Sequence, residues 1–170
     1  VPIDRSAFRA FSYGVYVVCS GSEARRNGQI CNTVFQVTSE PPTVAASINK
    51  LNFTHEILTE HRNFTVSVLS EEAPMVYIGR FGFRCGRDFD KFEGIRARQG
   101  STGAPIPEDY SVSFIECRVT DSLDCGTHTL FLGEVVDAGV LSDATPMTYA
   151  FYHEVKKGKS PSRAPTFIGS

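Results

Sequence analysis

The sequence predicts a mainly β fold with short helices, closed into an antiparallel barrel. Three observations lead there. Roughly six stretches carry the β-branched and aromatic enrichment of strands. The helical patterns are few, short and do not alternate with the strands, which argues against βαβ units. Glycine-, proline- and asparagine-marked turns separate the strand candidates.

Taken in order, Asp4 suits the N-cap of a short helix whose Phe8 and Phe11 are expected on its buried side. Tyr13–Ser20 (YGVYVVCS) reads as a strand. The polar run Gly21–Gly28 ends in Asn27-Gly28, a strong turn dipeptide, so a hairpin into a strand over Gln29–Thr38 is expected. Pro41-Pro42 denies two backbone donors and breaks the ladder before a strand over Thr43–Ile48. Phe53–His61 has helical spacing, and Phe64–Leu69 (FTVSVL) alternates like a half-buried strand. Proline at an early position starts a helix over Pro74–Phe83. The charged, glycine-rich Arg84–Gly103 reads as a loop with one helical turn near Asp90-Lys91-Phe92. Two long strands follow, Tyr110–Thr120 and Thr129–Val140, joined by a turn at Asp121–Gly126. Tyr149–Val155 fits a last strand or helix. These elements make one barrel domain over 1–155, and the basic, proline-containing tail (156–170, with KKGKSPSRAP) reads as an extended segment or linker.

The 170 residues suffice for one domain with a substantial core. Hydrophobic residues make 41% and charged residues 21%, with a net charge of -2. Nucleic-acid binding would want a basic excess, which is absent. No apolar run approaches the roughly 18 residues of a membrane span. Val1–Arg5 is not followed by an apolar stretch, so no signal peptide is read there. The five cysteines are odd in number and include no CxxC, which favours free thiols in a reducing cytoplasm over a disulfide framework or a zinc ribbon. Two Asn-Phe-Thr sequons, at Asn52 and Asn63, are read as unmodified.

The stretch from Asn27 to His55 carries most of the chemistry. Its order of strand, turn, strand and helix start places small polar side chains around one barrel mouth. Ser47-Ile48-Asn49-Lys50-Leu51-Asn52-Phe53-Thr54 leaves a strand and enters a helix, whose unpaired N–H groups and partial positive charge suit a phosphate. The alternative is that Asn52 or Thr54 only caps the helix. Asn32 and Thr33 can donate and accept at the edge of a flat ring, and Ile30 and Cys31 can offer backbone groups; otherwise these are ordinary strand residues. His128 opens a strand after a turn. Arg87 and Lys91 lie in the glycine-rich loop, where they can clamp a phosphate or simply be solvated. His55, His61 and His153 have no metal-ligand spacing. GxGxxG, GxSxG and Walker motifs are absent.

Together these residues resemble the flavin reductase-like family, with its FMN-binding split barrel. The motif residues are Gly28, Ile30-Cys31-Asn32-Thr33, Glu40-Pro41-Pro42, Ser47, Asn52–His55, and Gly126-Thr127-His128 before Leu132-Gly133-Glu134-Val135. The segments GRDFDKFEGI, CGTHTLFLGEVVDA and YHEVKKGKSPSRAP are similar to the flavoprotein part of high-molecular-weight rubredoxins and to flavoredoxin-type proteins. The resemblance implies a homodimer holding FMN, reduced by NADH or NADPH, with electrons passed to free flavin, rubredoxin, a diiron flavoprotein or ferric iron. It implies that Asn32 and Thr33 meet the ring, with Ile30 and Cys31 contributing backbone. Ser47, Ile48, Asn49, Lys50, Asn52 and Thr54 would line the ribityl and phosphate side, His128 the nicotinamide side, and Arg87 and Lys91 its margins. Thr127 stands where the family pattern has Asp. The competing readings are an FMN electron carrier that oxidises no pyridine nucleotide, a non-enzymatic module on the same barrel, and an oligonucleotide-binding barrel.

Overall fold

The structure, a computed structural model, describes residues 1–168. A 3-10 helix, Arg5–Ala10, is capped by Asp4, whose carboxylate accepts from the Ser6 amide at 3.0 Å. Then come β1 (Tyr16–Gly21), β2 (Arg26–Cys31), β3 (Val34–Ser39), β4 (Pro42–Asn49), α1 (Phe53–His61), β5 (Asn63–Leu69) and α2 (Met75–Gly82). The second half holds β6 (Ala97–Gln99), β7 (Pro105–Pro107), β8 (Ser111–Asp124), β9 (His128–Val140) and α3 (Tyr149–Glu154). Seven strands form one antiparallel sheet in the order β2-β1-β5-β8-β9-β4-β3, and β6-β7 is a separate small ladder.

That order forces closure. β2 and β3 are the two outermost strands, yet only Asn32 and Thr33 join them. On a flat sheet their positions would lie about 29 Å apart. Two linking residues reach only about 11 Å. The sheet therefore curls until the end of β2 comes beside β4, where the Cys31 thiol reaches the Ser47 carbonyl at 3.7 Å across the seam. The barrel is split where Asn32 and Thr33 sit.

Side chains alternate along the strands and feed two cores. Val18, Ile48, Phe64, Val66 and Phe131 fill the barrel interior. Val17, Cys19 and Leu69 join Tyr77, Ile78 and Phe81 of α2 and Tyr152 of α3 in the second core. Phe64 is fully buried, a stabilisation of about 2–3 kcal/mol. It needs Gly133 on β9: a Cβ there would stand 2.7 Å from Phe64 Cε1 and from Cys117 Cβ.

Several expectations need correction. Asn27-Gly28 is not a turn. It pairs with Ser20 and Cys19 inside β2, and the hairpin turns earlier, where the Ser22 amide donates to the Arg25 carbonyl. The strand expected over Gln29–Thr38 is two strands broken at the seam. Phe8 and Phe11 are exposed, because no element packs over the 3-10 helix. The loop after α2 hides β6 and β7, too short to show a period. Tyr149–Glu154 is helical, capped by Thr148, whose hydroxyl accepts from the Phe151 amide. No helix among the described residues is long and apolar enough to cross a membrane.

Candidate functional site

A cavity of about 480 Å³ opens at the seam, a size in the range of small-molecule sites. Its walls come from β2, the end of β4, the start of α1, the segment after α2, α3 and the tail. Asn49 closes β4. Its side-chain carbonyl accepts from the Leu51 amide at 2.9 Å, which turns the chain towards α1. Asn52, the N-cap residue, does not cap with its side chain; its amide donates instead to Gln29 at 3.1 Å. Thr54 in the first turn is fully buried, and Asn27 donates to its hydroxyl at 2.8 Å. Asn27, Asn32, Asn49 and Thr54 are all buried polar groups, held beside the apolar Val15, Ile78 and Phe81.

Of the residues singled out from the sequence, Ile30, Cys31, Asn32, Ser47, Asn49, Asn52, Thr54 and Lys91 line this cavity. The Cys31 thiol is pushed up to about 12 by burial and so stays protonated. Lys91 is 4% exposed and donates to the carbonyls of Gly28 and Phe81, at 2.8 and 3.1 Å. Burial lowers it to about 8.

Five other expected residues are placed elsewhere. Lys50 points away from the cavity and pairs at 2.6 Å with Asp124, the last residue of β8. Ile48 belongs to the barrel core. Thr33 donates to the Asn32 side-chain carbonyl at 3.0 Å rather than facing the cavity. Arg87 pairs with Glu56 and lies over the Phe53 ring, in a neighbouring hollow. His128 stands at the rim: one ring nitrogen meets the Thr127 hydroxyl and the other the Arg163 carbonyl, at 3.2 Å.

The last contact shows what sequence reasoning missed. The tail is extended, as its composition suggested, yet it does not lead away. It lies across the mouth. Asn32 donates to the Thr166 hydroxyl at 2.5 Å and Asn49 to the Arg163 carbonyl at 3.2 Å. Arg163 in turn donates to the Leu51 carbonyl at 2.9 Å. Tyr149 meets Ser160, and Tyr152 donates to the Lys159 carbonyl at 3.0 Å. Tyr149 and Tyr152 line the cavity, as do Asn27, Gln29 and the segment Gly82–Gly86. The tyrosine-rich start of α3 followed by a proline-containing basic run was the available signal. Its value depended on knowing that the tail folds back.

The chain that builds this cavity is similar in sequence and fold to known proteins. The pattern of the flavin reductase-like domain covers residues 8–158. The chain belongs to the flavin reductase-like family. It is 50% identical to a ferric-chelate reductase (NAD(P)H) of Archaeoglobus fulgidus, over 99% of each chain. It is 46% identical to a high molecular weight rubredoxin of Moorella thermoacetica, over 97% of this chain and 72% of that one. Among solved structures, an NADH:FAD oxidoreductase of Streptomyces globisporus superposes with a TM-score of 0.76 at 29% identity, covering 87% of this chain and 90% of that one. The fold is thus the split barrel of flavin reductases, and the flavin reductase-like chain is an oxidoreductase of that class.

Proposed function

We propose that this flavin reductase-like protein takes electrons from NADH or NADPH into a bound FMN and passes them to an acceptor, either a redox protein such as rubredoxin or a diiron flavoprotein, or ferric iron or free flavin. One observation carries the reading: a single cavity offers asparagine amides at the seam, apolar and tyrosine walls, and a helix start at its inner end. Such a site suits a flat hydrogen-bonding ring with a phosphorylated tail.

When bound, the flavin supplies the ring that accepts hydride. The chain's own residues bind, orient and shield. Asn32 and Asn49 each own an amide now spent on the tail, free to turn to a ring edge if the tail shifts. Ser47, Asn52 and Thr54 run from there to the start of α1. Tyr149 and Tyr152, with the tail over them, exclude water from the ring. No side-chain nucleophile is needed, which agrees with three buried thiols, Cys19, Cys31 and Cys117, each pushed up to about 12 by burial.

A homodimer is part of this reading. β3 is a sheet edge that exposes Phe35 and Val37, and the N-terminal Phe8 and Phe11 are exposed as well. Unpaired edges and apolar side chains of this kind are normally covered. The free cysteines support a reducing compartment such as the cytoplasm in this reading. Lys159 of the tail lines the cavity and suits an acidic redox partner.

The test is the visible spectrum of the purified protein, recorded anaerobically before and after NADH, then NADPH. Flavin bands that bleach with either donor are expected. Bands that persist with both would make the protein a carrier between redox proteins. Absence of bands, with no binding of added FMN or FAD, would overturn the proposal.

A further inference from the structure

Lys91 is the least explained charge in the molecule. It is 4% exposed, and its ammonium group has two acceptors, both main-chain carbonyls. Among the described residues no carboxylate pairs with it. A buried cation is costly unless an anion answers it. The Phe81 carbonyl, in the last turn of α2, carries only part of a charge. Burial pushes Lys91 down to about 8, which leaves it mostly protonated at neutral pH.

The surroundings of Lys91 form one end of the cavity already described. Gly28, whose carbonyl it holds, adjoins Asn27, and Asn27 donates to Thr54 in the first turn of α1. Gly86 closes this corner so tightly that a Cβ would fall 1.9 Å from Asn27 Oδ1 and 3.3 Å from the Phe53 ring. The first turn of α1 has no side-chain cap, because Asn52 turns to Gln29. Lys91, Asn27, Thr54 and Gly86 thus line one cavity, in whose wall α1 starts without a side-chain cap.

We propose that Lys91, and not Lys50, is the cation that receives the phosphate of the bound flavin, at the corner formed by Asn27, Thr54 and Gly86. This rests on the flavin reading above. It makes Lys91 a binding residue for the phosphate, with no part in the redox step. The Lys50 ammonium is already paired with Asp124 on the outer surface. The competing role for Lys91 is a tether that ties β2 to the end of α2.

Riboflavin, which lacks the phosphate, separates the two roles. Dissociation constants for FMN and riboflavin are measured by fluorescence on the full chain stripped of flavin, for wild type, K91Q and K50A. The glutamine keeps an amide that can donate to the carbonyls but removes the charge. K91Q is expected to weaken FMN about tenfold or more while riboflavin moves by less than about threefold, the size of a lost charge-assisted contact. K50A is expected to leave the FMN-to-riboflavin preference where it was. Equal loss of both ligands in K91Q, or no loss of either, overturns the assignment. If K91Q does not fold, K91M takes its place in the same comparison, and a tenfold fall in the FMN preference of K50A puts the phosphate on Lys50 instead. A wild-type chain that binds neither ligand removes the flavin reading itself and this assignment with it.

Discussion

Lys91 and Glu116 are both buried charged side chains, and they are treated in opposite ways. Glu116 on β8 is fully buried and completely answered. Ser101 and Thr102 each give it a main-chain amide and a hydroxyl, with the Thr102 pair at 2.7 and 2.6 Å. Burial pushes its carboxyl up, but the bonds from Thr102 and Ser101 outweigh that and hold it below its ordinary value. Lys91 receives two carbonyls and no anion, and burial wins. A buried charge that closes its own accounts is architecture: Glu116 pins the loop between β6 and β7. Lys91, with two acceptors for the three donors of its ammonium group, has room for a further partner.

The two groups must then respond to pH with opposite sign. Glu116, lowered in the fold, contributes stability that is present above its unfolded value near 4.5 and is lost as pH falls through the folded one. Lys91 loses its proton near 8 in the fold and near 10.5 when unfolded. Between those values the unfolded chain holds more protons, so this site adds stability as pH rises, and it penalises the fold below 8.

The largest effect expected from breaking the comparison is at Glu116. E116L leaves four donors facing an alkyl group and should cost about 3 kcal/mol in urea unfolding, with riboflavin affinity retained. Next is the stability difference between wild type and K91Q, both flavin-free. It should move in favour of wild type by about 1 kcal/mol for each pH unit from 8 towards 10. The three buried thiols act oppositely above about pH 9, because they keep protons in the fold, but they are common to both proteins. A flat difference across that range would place no titrating lysine at the site. Gly100→Ala follows, since a Cβ there would stand 2.3 Å from Glu116 Oε1. It should cost about 1–2 kcal/mol, read from the same unfolding curves. Smallest is K50A, for which the urea midpoint should not shift measurably, because its partner Asp124 is exposed.

The sequence displayed most of the barrel because its strands are β-branched and aromatic runs, buried by one core or the other on alternate residues. Phe53–His61 shows the helical period and is the helix, and Asn63–Leu69 is the strand that FTVSVL announces. What it concealed lies where local signals and long-range geometry disagree. Asn27-Gly28 has the chemistry of a turn, but Gly28 is needed in β2 for another reason: a Cβ there would strike Cys19 Sγ at 2.6 Å. In the site, Asn32, Asn49 and Thr54 could be found because they flank a strand end and a helix start. Lys50 was drawn in by the same logic, yet the direction of its side chain is set by Asp124, 74 positions away in the chain. Lys91 drew notice only as one charge in a loop, since nothing local reveals that its ammonium group is buried.

The tail that crosses the mouth has a consequence for how the protein can be joined to others. It is anchored at Asn32, Asn49 and Leu51, all next to the cavity. Any domain attached by a short flexible linker beyond those anchors is therefore tethered at the rim of the cavity, at an effective concentration of about a millimolar. For a fused redox domain, electron delivery becomes an intramolecular encounter that does not depend on expression level. For a purification tag, the same leash brings foreign residues to the rim, so tags belong at the other terminus.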